Sequence, residues 1–235
     1  MSAGRVLFVG CGPGAADLLT LRAVRALETA DIVIWNATLL DRGALAAHSR
    51  AEAEIVEWPP ATGRDIERAY DRALTEDLLV VRLKGGDPTL FGALEPELSA
   101  VRARGLACEI VPGVSAVGAG GAALGRELAT RATALLLVDA ECLTGGGAQA
   151  SAVAVYGANR DPRALQHALL ARGLTGSTPC TVAIEVSRRA ETLVSCPLDE
   201  LGETVEDVGG GGVLTLVLAG TSQSISRPQR TTDAI

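Results

Sequence analysis

Aromatic residues make up only 3% of this 235-residue chain, and histidine occurs twice. So few rings leave alanine, glycine, valine and leucine to fill the interior, which suits an α/β protein with helices packed closely on sheets. His48 and His167 both lie in alanine-rich helical sequence, which argues against a histidine metal centre or a Ser-His-Asp triad. The five cysteines (Cys11, Cys108, Cys142, Cys180, Cys196) are scattered with no CxxC pair, so neither a disulfide framework nor a zinc site is expected, and no metal. Reduced thiols point to the cytoplasm. No run of 18 apolar residues occurs, and the N-terminal MSAGRVLFVG lacks the charged-then-apolar layout of a secretory leader. A membrane partner is therefore not expected. With a net charge of −7 and no basic face, neither is a nucleic-acid partner.

What is present is apolar punctuation at regular intervals. Arg5 to Gly10 reads as a buried strand running into Cys11-Gly12-Pro13-Gly14. A helix follows, with Asp17 as its N-cap and Leu18, Leu21, Val24, Arg25 and Leu27 at helical spacing. The loop resembles a dinucleotide fingerprint only in part. Ala15 and Ala16 stand where the third glycine belongs, and the next strand, Ile32 to Trp35, ends in Asn36 rather than an acid. Further strands are expected at Glu54–Trp58, Leu78–Leu83 and Cys108–Val111. Helices are expected up to His48, over Arg64–Leu74 (Ile66, Ala69, Tyr70 and Ala73 inward) and over Glu95–Arg104. This alternation predicts an open, mainly parallel sheet with helices on both faces.

Past Gly113 the character changes. Val117 to Leu124 holds glycine at 118, 120 and 121, a poor isolated helix whose small side chains favour close packing against another element or a ligand. Strands are expected at Ala134–Val138, Val153–Tyr156, Thr181–Val186, Glu191–Ser195 and Val213–Leu218. Helices are expected at Pro162–Arg172, with Gly173 as C-cap, and at Leu198–Val205. Leu143–Ala150 reads as a glycine-rich connection, and the tail beyond Thr221 as a polar, mobile end. The expected architecture is two α/β domains, residues 1–114 and 115–235, with a ligand cleft between them.

Val80 to Gly92, VVRLKGGDPTLFG, is the stretch on which function turns. A buried strand stops at Gly85-Gly86, where the backbone can turn sharply and approach a ligand without a Cβ in the way. Pro88 biases Asp87 towards an extended conformation and so fixes the direction of its carboxylate. On spacing alone this loop is equally a plain βα turn.

Three ordered segments carry a family resemblance: GCGPGAADLLTLRAVRALETADIV at 10–33, RLKGGDPTLFG at 82–92 and EIVPGVSA at 109–116. Together they resemble the tetrapyrrole (corrin/porphyrin) methylases, with weaker matches at VAVYG, TPCTVAIEV and GVLTLVLAG. The resemblance implies a methyltransferase that uses S-adenosylmethionine, releases S-adenosylhomocysteine, and takes a small-molecule acceptor, a tetrapyrrole. It implies a homodimer as well. Donor contacts carried over by position are Pro13, Gly85, Gly86, Asp87, Leu90, Ser115 and Ala116, then Tyr156, Gly157, Ser187, Leu214 and Thr215. Asp87 is suited to the donor's α-amino group, and the small apolar residues to its adenine. Ser115 is equally suited to cap a helix. No general base is assigned. Gly86→Val is expected to abolish S-adenosylhomocysteine binding while sparing the fold.

The acceptor is legible only through departures from pattern. RLKGGDP is shared with uroporphyrinogen III methylases, which carry an aspartate after the second strand and a lysine after the next. Here those places hold Asn36 and Trp58-Pro59-Pro60. NATLL, EIVEWPPATGRDI and GALEPEL instead resemble the pattern of precorrin-4 C11-methyltransferases of cobalamin biosynthesis, though Gly85 stands where a threonine is usual. Uroporphyrinogen III methylation remains an alternative. So does a non-tetrapyrrole acceptor, for which Trp35-Asn36 and Trp58-Pro59-Pro60 would be the reason. A non-catalytic binder of a nucleoside-like ligand is the alternative of another class, motivated by the short Gly145–Gly147 region.

Overall fold

Strand formation follows the apolar runs. In the computed structural model, which describes residues 4–131, 133–143, 152–208 and 215–220, β1 (Arg5–Gly10), β2 (Ile32–Trp35), β3 (Glu54–Glu57), β4 (Leu79–Lys84) and β5 (Ala107–Val111) form one sheet. Every pairing in it is parallel, in the order β3-β2-β4-β1-β5. Helices α1 (Leu21–Thr29), α2 (Arg42–His48), α3 (Gly63–Glu76) and α4 (Leu94–Ala103) connect the strands. Alternation along β4 shows how both faces are covered. Val81 and Leu83 pack with Leu27 of α1 and Leu45 of α2, whereas Val80 packs with Tyr70 of α3 and Leu98 of α4.

The inward face expected of α3 is the one observed: Ile66, Ala69, Tyr70 and Ala73 are its buried residues. The start of α1 differs from expectation. Asp17 lies within a short 3-10 turn, Ala16–Leu18, and the cap is Thr20, whose hydroxyl oxygen accepts from Ala23 N at 3.1 Å. The buried face shifts accordingly to Ala23, Ala26 and Leu27, leaving Leu21 75% exposed and Arg25 at the surface. Alanine, too small to dominate a periodicity count, is what lets α1 lie close to the sheet.

A second sheet contains β6 (Leu135–Asp139), β7 (Ala152–Tyr156), β8 (Pro179–Ile184), β9 (Thr192–Pro197) and β10 (Thr215–Ala219), in the order β6-β7-β10-β8-β9. Only β6 and β7 are parallel; the other pairings are antiparallel. Helices α6 (Pro162–Ala171) and α7 (Leu201–Val208) pack on one face through Leu165, Leu169, Leu201 and Val205. Gly173 follows α6 at φ +90, the left-handed conformation of a helix C-terminus.

The glycine-rich run forms a helix after all, α5 (Ala116–Ala123). Its low propensity is offset by close packing. A Cβ on Gly120 would lie 3.1 Å from Leu216 Cδ2 and 3.4 Å from Leu218 Cδ1, so the helix backbone rests directly on β10. The chain divides into two compact units, Met1–Ala116 and Val117–Ile235. Residues 144–150 and the tail beyond 221 lie outside the described residues.

All five cysteines are free thiols. Among the described residues no helix is long and apolar enough to cross a membrane, and no group of His, Cys, Asp or Glu is arranged to hold a metal ion.

Leu83 and Leu169 are fully buried, one in each unit. Leu83→Ala and Leu169→Ala are each expected to lower stability by about 2–5 kcal/mol in urea unfolding. A loss below about 1 kcal/mol at either position would mean that its core is loosely packed.

Candidate functional site

The candidate site begins where β1 and β4 end. These strands are neighbours, yet their chains leave in opposite senses. β1 leads through α1 to β2 on the far side of β4, and β4 leads through α4 to β5 on the far side of β1. The helices that carry them, α1 and α4, lie on opposite faces. Such a divergence is a topological switch point, the place where open α/β sheets bind ligands.

Three loops are drawn together there by backbone contact. Cys11 N donates to Lys84 O at 2.8 Å and Gly12 N to Gly86 O at 3.3 Å, while Gly86 N donates back to Gly12 O at 2.8 Å. The approach is so close that an added Cβ on Gly113 would lie 2.1 Å from Gly86 O, and one on Gly10 would lie 2.6 Å from the same atom. Gly10 and Gly113 thus admit no Cβ against Gly86 O, and the three residues form a junction of main chains. Gly86 itself has φ +61. The expectation that Gly86→Val spares the fold is therefore corrected, because a β-branched residue strains that backbone whatever space it finds.

Asp87 fastens the far side of the loop. Its Oδ1 accepts from Thr89 N at 2.8 Å and Thr89 Oγ1 at 2.6 Å, and its Oδ2 accepts from Gly113 N at 3.3 Å. Burial raises its pKa, but the Thr89 and Gly113 hydrogen bonds outweigh that and hold the carboxyl below its ordinary value. It is a carboxylate at neutral pH. Leu90 N closes the turn on Asp87 O at 3.1 Å. Gly85 is less confined, since a Cβ there meets only the end of the Leu39 side chain, 2.9 Å from Cδ2. Ala116 lies beside the loop, its N 3.8 Å from where a Gly86 Cβ would stand, and Ser115 immediately precedes α5. Pro13 belongs to the loop that Gly12 pins to Gly86.

Behind the loop lies a polar cluster absent from the sequence expectations. Arg82 and Lys84 point from β4 towards α3 and α4, each 8% exposed. Glu97 of α4 accepts from Arg82 Nε at 2.9 Å, from Tyr70 Oη at 2.9 Å, and from Lys84 Nζ. Burial raises the Glu97 pKa, but Arg82 and then Lys84 overcome this and leave it lowered. Burial pulls the Lys84 pKa down against the opposing pull of Glu97. Burial, followed by the Glu97 charge, holds the Tyr70 hydroxyl well above its usual range, so it remains a donor. The signal was present in the sequence. Two cations at alternate positions of an otherwise apolar strand, Arg82 and Lys84, need a buried counter-charge.

The structure also places two residues singled out for the acceptor. Trp35 is fully buried, its Nε1 donating to Leu40 O at 2.9 Å, so it is a core residue rather than a cleft residue. Asn36 Oδ1 accepts from Thr38 N at 2.8 Å and Thr38 Oγ1 at 2.7 Å, which shapes the turn into α2.

In the second unit the expected residues that are described lie at or just beyond one end of the central strands β7, β10 and β8. Tyr156 ends β7 opposite Leu216, and Thr215 begins β10 opposite Ile184. Gly157 follows at φ +68. Ser187 lies just beyond β8 at φ +71, an uncommon conformation for serine, with its N donating to Glu191 Oε2 at 2.7 Å. Leu214 lies outside the described residues.

The family model of the Tetrapyrrole (Corrin/Porphyrin) Methylases matches residues 5–202. The Precorrin-4 C(11)-methyltransferase of Mycobacterium tuberculosis is 40% identical over 123 residues, 52% of this chain and 49% of the relative. The Uroporphyrinogen-III C-methyltransferase of Paracoccus denitrificans is 38% identical over 117 residues, 48% of this chain and 41% of the relative. The matches thus span about half the length of these relatives or less, at 49% and 41%. The crystal structure of Uroporphyrin-III C-methyltransferase from Thermus thermophilus complexed with S-adenosylhomocysteine superposes with a TM-score of 0.73 at 26% identity. That alignment covers 92% of this chain and 97% of the other.

Glu97 gives the site a pH signature. Because its folded pKa is lowered, its stabilisation is complete above the ordinary glutamate range and is lost as pH falls through the folded value. Glu97→Gln should cost about 2 kcal/mol or more at neutral pH, since it leaves Arg82 and Lys84 uncompensated. Melting temperatures taken from neutral to acid pH should fall less steeply for this variant than for the parent. Parallel slopes would show that Glu97 is not the group being titrated.

Proposed function

The chain belongs to the tetrapyrrole (corrin/porphyrin) methylases, and from that premise we propose that it transfers the methyl group of S-adenosylmethionine to a carbon of a tetrapyrrole precursor, precorrin-4 at C11. The observation that carries the donor half is the glycine junction, where GCGPG, GGDP and PGVSA meet at the switch point of the first sheet. A loop built of backbone can present N–H and C=O groups to a ligand's polar atoms at close range. In this reading Asp87, held as a carboxylate, receives the donor's ammonium group. Pro13, Gly85, Gly86, Leu90, Ser115 and Ala116 complete the first unit's contacts. Tyr156, Gly157, Ser187, Leu214 and Thr215 are assigned as donor contacts on resemblance alone.

The chemistry asks little proton transfer of the protein. The bound sulfonium supplies an electrophilic methyl group. The chain's residues hold the donor still and exclude water while an electron-rich acceptor carbon approaches in line. No side chain is assigned as general base.

Precorrin-4 is favoured over uroporphyrinogen III by Asn36 and Trp58-Pro59-Pro60, which replace the aspartate and lysine of the latter's pattern. The likeness to the Paracoccus enzyme keeps uroporphyrinogen III as the second reading. The case for a non-tetrapyrrole acceptor loses Trp35, a core residue, and rests on Asn36 and Trp58-Pro59-Pro60. The motive for a non-catalytic binder, Gly145–Gly147, lies outside the described residues. A cytoplasmic homodimer completes the proposal, and sedimentation would test its second half.

Incubation with labelled methyl donor and each acceptor separately should place label in precorrin-4. Label in uroporphyrinogen III alone would overturn that choice. For the donor site, Gly85→Ala should cost the fold less than about 1 kcal/mol, because the flexible end of Leu39 can yield. It should weaken S-adenosylhomocysteine binding by about tenfold in calorimetry, equivalent to about 1.4 kcal/mol. Unchanged affinity would move the donor away from this loop.

A further inference from the structure

Loop 85–93 leaves β4 and returns to the protein as α4, and its two ends are joined by an ion pair. Lys84, the last residue of the strand, donates through Nζ to Glu97 in the first turn of α4, a sequence separation of 13. The main chain of the same lysine accepts from Cys11 N at 2.8 Å, so one residue ties GGDP both to GCGPG and to α4. We infer that the Lys84–Glu97 pair is a clasp across the base of the donor loop, and that Lys84 is a positioning residue for donor binding. This rests on the donor reading given above.

The charge count separates this role from simple stabilisation. Arg82 alone balances Glu97, with Nε at 2.9 Å and Nη2 at 3.4 Å, and Tyr70 adds a neutral donor. Lys84 is a second cation on one carboxylate, and it is 8% exposed. A surplus buried charge costs desolvation that its share of Glu97 repays only in part. An apolar side chain of the same length would serve the core as well or better. What it could not do is hold the strand end to α4. Asp87 secures the other side of the same turn through Thr89 and Gly113, and Gly12 pairs with Gly86 between them, so Gly85 is the link between the Lys84 anchor and the pinned part of the loop. Placement of backbone groups to within a fraction of an ångström is what ligand contacts of this kind require.

The test is Lys84→Met, which removes the surplus charge, is shorter by one atom and leaves the Arg82–Glu97 pair intact. S-adenosylhomocysteine affinity should fall about tenfold or more while the melting temperature holds or rises. Lys84→Arg, which restores charge and reach, should bind within about threefold of the parent. Lys84→Met with parental affinity would overturn the clasp. So would loss of binding that accompanies a lowered melting temperature, because Lys84 would then serve the fold. If the parent itself fails to bind S-adenosylhomocysteine, the donor reading falls, and the clasp with it.

Discussion

The approach of three main chains at Gly10, Gly86 and Gly113 is the constraint on which the candidate site at the C-terminal end of the first sheet depends. Parallel neighbours bring the C-terminal ends of β1, β4 and β5 level with one another, but they do not bring the loops beyond them into contact. Contact needs positions at which a carbonyl can stand where a Cβ would otherwise be. Gly86 O takes that place against both of the other glycines. The reciprocal hydrogen bonds between Gly12 and Gly86, and the hold of Asp87 on Gly113, are possible only because the chains are already so near. Distance is thus set by backbone sterics, and direction by hydrogen bonds.

Much of this was legible in the chain. Strands announced themselves as apolar runs, and α3 by its repeat of Ile66, Ala69, Tyr70 and Ala73, because burial on one face leaves a periodic trace. The three glycine loops were legible as turns. Their meeting at a switch point was not, since strand order is a property of crossovers rather than of any segment. Local pattern also misjudged α1, where small alanines rather than the larger Leu21 face the sheet. It undervalued α5, whose glycines are a liability for an isolated helix and an asset against Leu216 and Leu218. In both cases tertiary contact overrode propensity.

The polar cluster failed to show for a different reason. Arg82 and Lys84 hint at a partner, but Glu97 lies on another element and Tyr70 on a third. Only the fold brings the four together. Trp35 illustrates the converse. As a bulky residue beside Asn36 it reads as an acceptor determinant, yet its indole is enclosed and its N–H is spent on Leu40. Rarity in a composition does not locate a residue at a site.

The glycine junction has a consequence for how such a protein can change. Its contacts are made by main-chain atoms and depend on the missing Cβ at Gly10 and Gly113, so a side chain at either position would push the loops apart. The turn at Asn36–Thr38 is built the other way, from side chains on the loop between β2 and α2. Mutational drift is thereby channelled. One part of the sheet's C-terminal end is fixed by main-chain sterics, whereas the Asn36–Thr38 turn beside it depends on side chains that substitution can replace.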